Sequence, residues 1–205
     1  VMDWKTGGAS LACEGETFEV FSSEYSLGCS VRGALLAVNT VAGLEHSDLK
    51  DKVVLLYGEV ALQQIAPKNF PFWNPEEHRH IISVLEKGSP KALVCATERN
   101  SATAGGVYPF PLFEDGDFDI PSVYMKDTEG ERLLACAGRM VELESKAIRI
   151  PGTAFHVTGR YGIISGERIV VTAHIDTKIG TPGAIDNGTG VAVVLLLAGL
   201  LTGKP

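Results

Sequence analysis

Apolar and polar positions divide the chain into stretches of three kinds. Val53-Val-Leu-Leu-Tyr57, Ala92-Leu-Val-Cys95 and Ile169-Val-Val171 are short, continuous apolar runs bounded by polar residues or glycine. That is the pattern of strands covered on both faces. Asn74-Pro-Glu-Glu77 is followed by Ile81, Ile82 and Leu85 at helical spacing. It predicts a helix to about Lys87, with Asn74 as cap, Pro75 in the first turn, Glu77 closing a capping box and Gly88 as the stop. Asp127 predicts a second capped helix over residues 128–137, closed by Gly138. Residues 191–201 are almost wholly apolar and run out near Gly203 and Pro205, a third helix that has to be covered on nearly every side. Eleven residues of this kind fall short of the roughly 20 that span a bilayer, so no membrane span is expected.

The remaining segments are weaker signals. Residues 1 to about 50 read as short strands and turns, punctuated by Gly28, Gly33 and Gly43, with 17–21 and 35–38 as strand candidates and no convincing helix. Residues 120–124 and 141–143 are further strands. Pro151-Gly152 marks a domain boundary, giving domains 1–150 and 151–205. Beyond it, 153–158 and 169–174 read as two strands of a second sheet, joined through Gly162 to Gly166. The fold class is α/β (α+β), a β-sandwich or open barrel with flanking helices followed by the start of a second α/β domain.

Composition narrows the function. The 205 residues are 45% hydrophobic and 21% charged, ordinary globular material with room for a sizeable core. The net charge is −7 with no lysine or arginine run, which argues against nucleic acid and anionic membrane surfaces as partners. Val1-Met-Asp-Trp4 has neither the basic start nor the apolar core of a signal peptide. No two of Cys13, Cys29, Cys95 and Cys136 are close in sequence, so there is no zinc knuckle or redox motif. Cys95 and Cys136 read as buried thiols, and pairing of Cys13 with Cys29 stays open. His78 and His80 lie about 200° apart around a helix, so they cannot share a metal and read as solvated or capping side chains. Glu114-Asp-Gly-Asp-Phe-Asp119 lacks the closing glutamate of a calcium loop and reads as a solvated turn. Tyr108-Pro-Phe-Pro-Leu-Phe113 is an extended aromatic segment that either contacts a ligand or closes the barrel.

The chemistry concentrates in Val170-Val-Thr-Ala-His-Ile-Asp176 and Pro182-Gly-Ala-Ile-Asp-Asn-Gly-Thr-Gly190. On an extended chain, side chains two residues apart point to the same side, which brings His174 and Asp176 together. A neutral imidazole and a carboxylate are ordinary zinc ligands, and a neighbouring acid can hold the ring in one tautomer. A second carboxylate, Asp186, can bridge two ions.

This string resembles the zinc aminopeptidase family that also holds glutamate carboxypeptidase and the transferrin receptor. The resemblance implies that His174 binds one zinc, that Asp186 bridges two, and that Asp176 orients the catalytic site. It implies a peptide substrate and hydrolysis by a metal-activated water, and it favours an extracytoplasmic or secreted setting. Leu49-Lys-Asp-Lys-Val-Val-Leu-Leu, Lys91-Ala-Leu-Val-Cys and Asp119-Ile-Pro-Ser-Val are similar to the protease-associated domain, which in that family precedes or is inserted into the peptidase domain and has no catalytic role. The family's later Glu-Glu pair, further acid ligand and final histidine do not occur before Pro205. The expectation is a fragment that is inactive alone, whose apolar last helix is ill-ordered or buried in a homodimer. The alternative is a non-catalytic binding or receptor module of the same family.

Overall fold

The computed structural model describes residues 1–98, 107–162, 166–177 and 180–203. It divides into two compact units, Val1–Thr153 and Ala154–Pro205.

The first unit is built on one curled, eight-stranded sheet. Its strands are β1 (Met2–Cys13), β2 (Glu16–Phe18), β3 (Phe21–Ser22), β4 (Cys29–Val38), β5 (Val53–Leu56), β6 (Ala92–Thr97), β7 (Ser122–Lys126) and β8 (Met140–Pro151), in the order β2-β1-β8-β4-β5-β6-β7-β3. Strand β4 is the seam. Its first half pairs antiparallel with β8, from Cys29 opposite Ser145 to Ala34 opposite Met140, and its last four residues pair parallel with β5. From there β5, β6 and β7 continue in parallel. The far edge strand β3 curls back: the Ser22 hydroxyl lies 3.0 Å from that of Thr6 on β1 and 2.9 Å from that of Ser145 on β8. The result is a half-barrel. At its rim the chain returns to its start, where Gly152 N donates to Val1 O at 2.9 Å and the Val1 ammonium donates to Gly152 O at 3.3 Å.

The apolar runs are strands because both of their faces find cover. Val54, Leu56, Leu93 and Cys95 face one cluster, together with Leu44 of α1 (Val41–Glu45) and Ile81, Ile82 and Leu85 of α2 (Glu76–Gly88). Val53, Leu55, Ala92, Val94 and Ala96 alternate to the other face, under Leu11, Phe18 and Leu143 and under Leu133 of α3 (Asp127–Leu133). This alternation is the two-residue period of a strand, read on both sides.

Several expectations are corrected. The first fifty residues hold two long strands and the short helix α1 rather than short strands alone, because β1 and β8 support each other over almost their full length. Asn74 does not cap α2; its side-chain amide donates to Lys68 O at 2.7 Å, and Pro75 takes the capping position. Gly88 is the last residue of α2, and the left-handed residue that ends it is Ser89 (φ 51°). What Gly88 supplies is space, since a Cβ there would stand 2.6 Å from Leu49 Cδ1. His78 is not solvated: it is 1% exposed, its Nδ1 accepts from Ala66 N at 2.9 Å, and Trp73 meets it edge-on. Burial holds its pKa below the ordinary histidine value. The acidic turn is also no solvated loop. Asp115 is buried and accepts from Lys68 N at 2.9 Å and Asp117 N at 2.8 Å, an Asx-type staple. Phe110, Leu112 and Phe113 are buried in the core, so of the two readings of that segment the packing one holds. Part of the loop expected over residues 98–106 lies outside the described residues.

In the second unit the elements differ more. None of its described residues stands in a β-ladder, so the strands expected at 153–158 and 169–174 do not form. The physical reason is the absence of a paired neighbour among the unit's described residues: an extended segment with unpaired backbone groups leaves them to water. The turn expected at 162–166 falls partly outside the described residues. The apolar helix does form, as α4 (Thr189–Thr202), ended by Gly203 in the left-handed region. With the preceding turn, Ala184–Thr202 is 19 residues of mean hydropathy 1.8, long and apolar enough to cross a membrane by length and composition. The core helix of a soluble α/β domain meets the same description, and here its apolar side chains are exposed, with Leu196 at 68%.

Candidate functional site

The three singled-out residues come together in the second unit. His174 and Asp176 lie on the extended segment, and Asp186 sits in the turn that leads into α4. That turn is a single π-type turn, Ala184–Gly188, closed by Gly188 N donating to Gly183 O at 2.9 Å. Asp186 (φ −113°, ψ 91°) and Asn187 (φ −134°, ψ 38°) leave helical geometry inside it, and the peptide between them is cis. The glycines have physical reasons. Gly183 adopts φ 61°, and a Cβ there would also meet Thr177 at 2.7 Å; at Gly190 a Cβ would stand 2.2 Å from the Asn187 side-chain oxygen. The bend therefore needs Gly190 so that Asn187 can fold over the start of the helix.

The carboxylate so presented meets the imidazole. His174 Nε2 lies 3.0 Å from Asp186 Oδ1. On the other side of the ring, Nδ1 lies 3.1 Å from the Asp176 carbonyl and 3.3 Å from its carboxylate Oδ1. A carbonyl and a carboxylate only accept, so Nδ1 donates to the Asp176 carbonyl and a protonated Nε2 donates to Asp186, which makes Nε2 the nitrogen where a metal could replace the proton. The Asp176 carbonyl, followed by the two carboxylates, raises the His174 pKa. All three side chains are at least half exposed, so the pairs are screened by water and contribute little to stability.

The donor chemistry fits zinc in part. Two ligands of a tetrahedral zinc at about 2.0–2.1 Å stand roughly 3.3 Å apart, close to the separation of His174 Nε2 and Asp186 Oδ1. Asp176 sits on the opposite ring nitrogen and does not converge with them, and among the described residues no group of three or more His, Cys, Asp or Glu side chains does so. Asn187, Gly190 and the Thr177–Thr181 hydroxyl pair, 2.8 Å apart, shape this loop and were not singled out by sequence. Their signal was the run of glycine and threonine on either side of Asp186.

Residues 157–205 match the sequence model of Peptidase family M28. The fold is similar to that of the aminopeptidase from Aneurinibacillus sp. strain AM-1, at 21% identity and a TM-score of 0.55, over 96% of this chain and 46% of that one. It is similar also to BSAP, a zinc aminopeptidase from Bacillus subtilis, at 19% identity and a TM-score of 0.55, over 95% of this chain and 46% of that one. The chain thus spans about half the length of these two structures. The curated proteins give no match.

Proposed function

We propose that this chain is part of a zinc-dependent peptidase of the M28 type, acting on peptide substrates, in which His174 and Asp186 hold metal and Asp176 orients the histidine. The M28 match over residues 157–205 supports the peptidase reading, and the two aminopeptidase folds are consistent with it. The observation that carries the residue roles is the imidazole held between two acids, with Nε2 turned to Asp186 and Nδ1 turned to Asp176.

Asp176 holds the Nδ1 proton, so that a metal taking the place of the Nε2 proton would find that nitrogen's lone pair. Asp186 supplies a carboxylate whose second oxygen is free to serve another ion. Zinc bound there would polarise a carbonyl and activate water. Residues 1–150 are assigned the part of a protease-associated domain. The 205 residues by themselves carry two ligands, and as an isolated chain they are proposed to have no turnover.

Metal counting on the whole protein tests the assignment without relying on activity. His174→Ala should lose one zinc, Asp186→Ala should lose both, and Asp176→Asn should keep both with lowered turnover. If Asp186→Ala retained two tightly bound zincs, the bridging role would be wrong. A whole protein binding no zinc at all would favour the non-catalytic receptor reading.

A further inference from the structure

Cys13 ends β1, and Cys136 ends the 3-10 turn Leu134–Cys136 that follows α3. They are far apart in sequence and meet at one corner of the sheet. Cys13 stands opposite Val141 at the start of β8, and the tight turn after Cys136 delivers the chain to that same end, with Arg139 N donating to Cys136 O at 2.9 Å. The residues beside them are joined too: Arg139 Nη1 lies 2.7 Å from the Glu14 carboxylate. Both cysteines are buried in the same apolar cluster, both are free thiols, and Cys136 is the first neighbouring group to act on the Cys13 thiol. The other two cysteines are elsewhere. Cys29 is on β4, opposite Ser145, with β8 lying between β4 and β1. Cys95 faces the other core cluster.

We propose that Cys13 and Cys136 form a disulfide site, closed by thiol–disulfide exchange with an external disulfide, which ties the end of β1 to the corner before β8. The Cys13 thiolate attacks the external disulfide RSSR, its S–S bond breaks, and one RS⁻ leaves and takes up a proton. The Cys136 thiolate then attacks the Cys13 sulfur of the mixed disulfide and releases the second RS⁻, protonated in turn. Two protein thiols lose two electrons and two protons, and one external disulfide is reduced to two thiols. Burial, and then the neighbouring Cys136, push the Cys13 thiol up to about 11, so Cys13 keeps its proton in the fold. The bond therefore forms as the chain folds, before the corner closes.

The test refolds the 205-residue chain from denaturant, once with reduced glutathione alone and once with mixed reduced and oxidised glutathione. Free thiols are then alkylated under denaturing conditions and counted by intact mass. The reduced sample should take four alkyl groups and the oxidised sample two, with a linked Cys13–Cys136 peptide on digestion. The closed loop is on the order of 100 residues, so the thermal midpoint of the oxidised form should rise by about 10 °C. A Cys29→Ala/Cys95→Val variant, which leaves the pair intact, should give the same linked peptide. Four alkylated thiols after oxidative refolding, or a link through Cys29 or Cys95, would overturn the proposal.

Discussion

Two apolar runs in this molecule have opposite fates. Val53 to Leu56 is a strand with every side chain fully buried, between β4 and β6 and under clusters on both faces. Ile169, Val170 and Val171 are just as apolar, yet they form no ladder and are exposed, Ile169 at 95%. The difference lies outside the runs themselves. The first has Leu35 to Val38 and Ala92 to Cys95 as register partners, while the second unit has no partner strand among its described residues. Hydrophobic pattern makes a segment able to be a strand, and the neighbour that accepts its hydrogen bonds makes it one.

The sharpest way to break this contrast is to truncate one side chain in each run. Leu55→Ala should lower unfolding free energy by about 2–5 kcal/mol, as for other fully buried leucines. Val170→Ala should change it by less than about 0.5 kcal/mol, because the side chain is 79% exposed. Urea unfolding followed by far-ultraviolet circular dichroism, to which the helices of both units contribute, reads both, and equal losses would show that the second run is covered after all. A smaller effect compares two acids. Asp115→Ala leaves two backbone N–H donors of the first unit without their acceptor and should lower stability by about 1–3 kcal/mol. Asp176→Ala, on an exposed carboxylate, should leave the same transition in place.

The smallest effect is one of pH. The folded pKa of His78 lies below its ordinary value of 6.5, chiefly through burial. The unfolded chain therefore binds a proton that the folded one refuses once pH falls below about 6.5, and stability declines from there until the folded pKa is reached. Above about 6.5 both states are neutral and His78 has no pH effect. Unfolding midpoints measured from pH 8 to pH 5 should slope downward, and the slope should be shallower in His78→Gln. A variant with the same slope as the parent would mean that some other group titrates.

The sequence was most legible where an apolar run and its partner are both in the first unit. Residues 53–56 and 92–95 were readable as strands, and α2 as a helix, because local periodicity and tertiary cover agree there; α4, in the second unit, was readable from its apolar run alone. It was least legible where a polar side chain was spent on the tertiary fold. Asn74 looks like a helix cap and instead ties down Lys68, His78 looks like a surface residue and instead receives Ala66 N, and Asp115 looks solvated and instead staples two loops. Nothing in a linear pattern distinguishes those uses. The proximity of His174, Asp176 and Asp186 was anticipated from the motif, but the turn that presents Asp186 was not. Its departure from helical geometry depends on Asn187 folding over Gly190.

The paired backbone of Val1 and Gly152 has a consequence for how such a unit can be carried. Strands joined this way lie about 5 Å apart, so a chain can enter and leave the half-barrel at nearly one point. A host loop receiving it would need to open by no more than the width of a β-hairpin, and its own fold would feel little strain. The same closeness suits the unit to circular permutation: a short glycine linker between Val1 and Gly152 would let new ends be cut at an exposed turn such as Glu14-Gly15 without altering any strand pairing.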